Sequence, residues 1–67
     1  MSKIKINVGR IKAGMFAKAL PAEVAAEKAG ITQGLFRQIL KEGQCTQVTL
    51  GKIARVLDIP VWELVDK

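Results

Sequence analysis

Ala26 lies four residues before Gly30, between two stretches that both read as helices. That spacing constrains the chain more than any other feature. Where a second helix crosses steeply over a first, the first needs a small side chain at the crossing. Where the chain reverses in about three residues, it needs a backbone free to turn left-handed, which glycine supplies without a Cβ penalty. Residues 22–29, Ala-Glu-Val-Ala-Ala-Glu-Lys-Ala, are rich in helix formers. Glu23 lies in the first turn and Lys28 in the last, matching the helix macrodipole. Gly30 stops this helix in a left-handed conformation. Thr32 caps the next one, which runs to Lys41 or Glu42 and ends at Gly43. Ile31, Phe36 and Ile39 supply the apolar residues that lock the second helix onto the first.

The rest of the chain reads as further short helices and one extended segment. In Lys3-Ile-Lys-Ile-Asn-Val8, the residues Ile4, Ile6 and Val8 alternate with polar ones, a strand pattern with one apolar face. It is followed by no hairpin turn, and nothing else in the sequence offers it a partner strand. From Arg10 to Leu20 the period becomes helical: Ile11, Met15, Ala19 and Leu20 share a face, with Phe16 beside them as a packing residue. Pro21 ends that helix and opens the next. Residues 44–48 read as a polar loop carrying Cys45, to which no role is assigned. Thr49 caps a fourth helix whose Leu50, Ile53, Ala54 and Leu57 match the i, i+3, i+4, i+7 pattern. Pro60 starts a short last helix through Val65. The expectation is one all-α domain over residues 1–67, with a strand or arm over 1–9 and a five-helix core over 10–66.

Charge and composition narrow the function. The chain of 67 residues carries 11 Lys and Arg against 6 Asp and Glu. Residues 1–20 hold Lys3, Lys5, Arg10, Lys12 and Lys18 and no acid. From Lys28 to Arg55, the bases Lys28, Arg37, Lys41, Lys52 and Arg55 meet only Glu42. Such an asymmetric basic field favours a polyanionic partner. There is no His and only one Cys, so a structural zinc site, which needs about four N or S ligands, lacks its donor set. Without His, paired carboxylates at helical spacing on an apolar face or a phosphate-cradling Gly-rich loop, enzymatic activity is not expected. No cofactor, small-molecule ligand or membrane partner is evident. No apolar run approaches the roughly 18–20 residues of a membrane span, and the N-terminus lacks a signal-peptide core, so the expected location is the cytoplasm.

A helix, a Gly turn and a second helix with a small residue at the crossing form the helix-turn-helix pattern, in which the second helix enters a DNA major groove. Here the chain resembles the phage repressor/Cro-like domains, the XRE family, over residues 10–66. The resemblance rests on Ala25-Ala-Glu-Lys-Ala-Gly-Ile-Thr-Gln33, then Ile39 and Lys41-Glu-Gly43. It continues in Thr49-Leu-Gly-Lys-Ile-Ala54, Leu57-Asp-Ile-Pro60 and Glu63-Leu64. It implies a five-helix lambda-repressor-like domain and a sequence-specific DNA-binding transcriptional regulator, a repressor from a mobile element. Thr32-Gln33 matches the family's opening of the recognition helix, so Gln33 would reach a base edge, where a Gln amide pairs with adenine N6 and N7. Gln38 falls on the same side at another base-reading position. Arg37 would touch a guanine edge or a phosphate, and Leu35 a thymine methyl. Thr32, Lys41 and Lys28 would meet phosphates. The sequence departs from the family at Gly34, often a polar reader, at Ala22, often a phosphate-clamping Gln, and at Pro21, usually Ser or Thr.

Each of these residues also has a plainer reading: Gln33 and Gln38 as solvated polar residues, Arg37 and Lys41 as solubilising charges. A function of a different class fits the same fold, a protein-interaction module of antitoxin or adaptor type, whose basic surface meets an acidic protein. Family members commonly bind two-fold operators as pairs. Homodimerisation is expected through the strand of Ile4, Ile6 and Val8, which lacks an internal partner, or through the C-terminal helix, where Trp62 is the interface candidate. The competing reading of residues 1–8 is a basic arm that orders on DNA.

Overall fold

The computed structural model describes residues 2–66. Five helices and a small two-stranded sheet follow one another as β1 (Lys3–Lys5), α1 (Val8–Ala17), α2 (Ala22–Ala29), α3 (Gln33–Glu42), β2 (Gln44–Thr46), α4 (Gln47–Leu57) and α5 (Val61–Leu64). The helices surround one core, in which Phe36, Ile11, Leu50, Ile53 and Leu64 are the largest fully buried side chains. Among the described residues no polar or charged residue is buried. The core therefore needs no internal polar partners and is held by apolar burial alone.

The turn between α2 and α3 is built as the sequence requires. Ala26 is buried at 1% exposure. Gly30 has φ 75°. Its N–H donates to Glu27 O at 3.1 Å, and the Ile31 N–H donates to Ala26 O at 3.0 Å. This pair of bonds satisfies the last carbonyls of α2. Thr32 then caps α3, its Oγ1 accepting from the Leu35 N–H at 3.0 Å. Gly43, φ 72°, ends α3 as expected.

The N-terminal segment departs from expectation. It has partners within the chain on both sides. β1 pairs antiparallel with β2, Ile4 opposite Cys45 and Lys3 opposite Thr46. On its other side Ile6 bridges to Val65. The Asn7 N–H donates to Leu64 O at 2.7 Å, and the Asp66 N–H to Lys5 O at 3.0 Å. Ile6 is buried, and Ile4 and Val8 pack partly buried against the core. The proposed dimer strand is thus an internal one, and its apolar face is already covered. Val8 is not in the strand at all: Asn7 Oδ1 accepts from the Arg10 N–H at 3.0 Å and starts α1 there. The partner strand has no signature in the sequence, because Gln44-Cys45-Thr46 is too short to show a period and reads as a polar loop. It is a strand with Cys45 buried, and Thr46 rather than Thr49 caps α4, its Oγ1 accepting from the Thr49 N–H at 3.4 Å.

Helix α1 ends earlier than the periodicity suggests. It stops at Ala17, and Ala19 takes φ 53° without being a glycine. The Ala19 N–H donates to Phe16 O and the Leu20 N–H to Met15 O at 2.8 Å, the same closing pattern as at Gly30. Phe16, expected to pack, is 89% exposed. Within α1 the buried residues are Ile11 and Gly14, and a Cβ at Gly14 would sit 2.9 Å from Ile59 Cδ1. Gly14 therefore gives up helix propensity so that α1 can lie close against the end of α4.

Two substitutions test these turns by urea denaturation. Ala19→Gly is expected to raise stability by about 1 kcal/mol, because it removes a left-handed alanine. Gly30→Val is expected to lower it by about 1–2 kcal/mol, with Gly30→Asn losing less. No Cβ at position 30 would meet an atom within 4 Å, so the loss there is conformational rather than steric. Equal stability of the Gly30 variants and the parent would contradict this account of the turn.

Candidate nucleic-acid interface

Helix α3 is anchored on one side by Phe36 and Ile39, 1% and 3% exposed. Leu40 packs partly buried beside them. At about 100° per residue, this phase turns Gly34, Leu35, Arg37, Gln38, Lys41 and Glu42 outward. All six are exposed, and Gln33 is half-buried at the margin. The sequence candidates on this helix, Gln33, Leu35, Arg37, Gln38 and Lys41, therefore share one solvent-facing strip, with Thr32 at its N-terminal end. Gly34 leaves the strip bare near its start: nothing lies within 4 Å of where its Cβ would be.

The two glutamines are not free rotors. With the amide oriented so that its oxygen faces Arg37, Gln33 accepts from Arg37 Nη2 at 2.8 Å and from Nε at 3.3 Å. That orientation is assigned from the donors around it. Gln38 Nε2 donates to Glu42 Oε2 at 2.9 Å. Glu42 Oε1 in turn lies 3.4 Å from Lys3 Nζ, which reaches over from β1. The hydrogen bond from Gln38, then the hydrogen bond and charge of Lys3, hold the Glu42 carboxyl below its ordinary range. Gln38, Glu42 and Lys3 border a small cavity of about 90 Å³ between α3 and the sheet, together with Leu35 and Thr46.

Five candidates lie elsewhere. Lys28 shares an open groove of about 770 Å³ with Gly30, Val48, Gly51, Lys52 and Arg55. Trp62 on α5 is 67% exposed, over a shallow depression with Asn7, Glu63 and Val65. Ile4, Ile6 and Val8 face inward, as described above. Arg10, another of the N-terminal bases, sits 3.5 Å from Glu63 and ties α1 to α5. From the sequence alone neither Glu42 nor Lys3 carries a site role. The i, i+4 spacing of Gln38 and Glu42 was a usable signal. Lys3 gave none, because its approach depends on the pairing of β1 with β2.

No helix among the described residues is long and apolar enough to cross a membrane. No family model, curated protein or solved structure matches the chain.

Cys45 belongs to the scaffold of this surface. It is buried in β2, and burial pushes its thiol above the ordinary range, with Lys3 partly offsetting this. A thiolate is the reactive form, so Cys45 is expected to resist a colorimetric thiol reagent at neutral pH until urea unfolds the chain. Prompt labelling of the folded protein would show that β2 does not cover it.

Proposed function

We propose that this chain is a sequence-specific DNA-binding transcriptional regulator, a repressor, which lays α3 in the major groove. The proposed architecture is the lambda-repressor-like helix-turn-helix domain that the sequence resembles. The observation that carries the reading is the outward strip of α3: two amide readers, Gln33 and Gln38, flanked by Arg37 and Lys41 on a helix locked to the core. A Gln amide offers one acceptor and one donor edge and so matches adenine in the major groove. Arg37 and Lys41 supply the cations that phosphate binding needs. Gly34 suits close approach, since a missing side chain lets backbone and groove wall come together. On this reading two copies occupy a two-fold operator, each with β1 already paired to its own β2.

The protein-interaction reading has one observation in its favour. The open groove beside Lys28, Lys52 and Arg55 also carries Val48, 62% exposed, a mixture suited to an acidic protein segment. It does not account for the paired glutamines.

Selection of bound duplexes from a random pool, followed by titration of variants, tests the DNA reading. The expected result is an enriched two-fold site. Gln33→Ala or Gln38→Ala should cost about 1–3 kcal/mol on that site and relax preference at one position. Arg37→Ala or Lys41→Ala should weaken every duplex and flatten the salt dependence. Gly34→Leu should fold normally yet bind the site less well, because position 34 has room in the protein and none against a groove wall. Glutamine variants that keep the parent's preference would rule out readout by α3.

A further inference from the structure

Glu42 is the sole acid of α3, and it stands on the strip that the proposed function turns toward a polyanion. A carboxylate there repels phosphate, so its presence calls for a reason. Its neighbours supply one. Gln38 Nε2 donates to it at 2.9 Å from one helical turn away. Lys3 Nζ lies 3.4 Å from its other oxygen. Lys3 is not there by chance of a long side chain alone. Its backbone is registered opposite Thr46, and the Ile6 N–H donates to Gly43 O at 2.9 Å, which bolts β1 to the C-terminal end of α3.

A primary amide carries two N–H protons and one oxygen. Pairing with adenine uses the oxygen and one of those protons. The second proton can therefore be held by Glu42 while the reading edge stays complete. A Gln side chain without such a partner rotates freely about its last torsion and can offer its oxygen or its nitrogen to the same base position.

We propose that Glu42 is a positioning residue that fixes the amide plane of Gln38 and so sets its base preference, with Lys3 neutralising the charge that this arrangement places against DNA. The inference rests on the DNA reading above. Its signature is a pair of effects of opposite sign. Removing Glu42 strengthens binding to an arbitrary duplex, because one repulsive charge is gone, and weakens discrimination at the base that Gln38 reads. A residue that merely supported the helix would weaken both.

The experiment compares the parent with Glu42→Ala, Glu42→Gln and Gln38→Ala, and with Glu42→Ala in the Gln38→Ala background. The probes are the selected duplex, the same duplex changed at the Gln38 position, and a scrambled duplex. Glu42→Ala is expected to lose roughly five- to tenfold of discrimination at that one position while gaining affinity for the scrambled duplex. Glu42→Gln, which keeps an acceptor oxygen without the charge, should gain affinity and retain most of the discrimination. In the Gln38→Ala background, Glu42→Ala should change discrimination no further. In the DNA-free protein, the side-chain amide resonances of Gln38 should move in Glu42→Ala and not in an exposed control such as Lys52→Ala. Discrimination unchanged by Glu42→Ala, or changed equally in both backgrounds, overturns the assignment to Glu42 and leaves the DNA reading standing. A parent protein that prefers no duplex overturns the DNA reading and this inference together, even where the Gln38 resonances respond.

Discussion

Burial of Phe36 and Ile39 fixes what α3 can show to solvent, and the proposed chemistry depends on that phase. A helix has one rotational freedom about its axis, and a buried aromatic beside a buried β-branched residue removes it. Once these two are inside, Gly34, Gln38 and Lys41 must be outside. The Ala26 crossing and the Gly30 turn then set where α3 starts, and the Thr32 cap sets its first turn. The backbone that carries the readers is thus held by apolar packing beneath it, while Gln33 and Gln38 are oriented by their neighbours Arg37 and Glu42. That arrangement suits recognition, because side chains on a rigid element keep their geometry while remaining exposed.

The N-terminal segment extends this logic. A chain of this size buries a smaller fraction of its surface than a larger domain does, so each added covering strand matters. β1 lies between β2 and the Val65 segment, and Ile6 fills the core from there. The same pairing carries Lys3 to the end of α3. One short strand thereby closes the core and places a cation at the edge of the candidate interface. The exposed ion pair between Lys3 and Glu42 adds little to stability, as is usual for such pairs. Its effect lies in charge placement.

The α2–turn–α3 unit was legible because each of its determinants is local. Ala26, Gly30, Thr32 and Gly43 act within one or two turns, and their residue types are diagnostic. The outward strip was equally legible, since helical period alone assigns Gln38 and Lys41 to the side opposite Phe36. Failures occurred where the determinant was distant or the residue type was atypical. β2 consists of three residues whose strand character comes from β1, some forty positions away. Helix α1 stops at Ala17, and the left-handed turn that follows falls on Ala19, a residue type that carries no turn signal. Phe16 reads as packing because it borders the apolar face, yet that face is narrow and the ring falls beyond it.

The central claim is that α3, and not the α2–α4 groove, meets nucleic acid. Amide chemical-shift mapping of the labelled protein on addition of a short duplex at low salt tests it most directly. The account predicts that the largest shifts gather over residues 32–42, with Lys3 among the responders outside the helix. Shifts gathered instead along residues 48–56 and around Lys28, or the absence of any shift at saturating duplex, would contradict it.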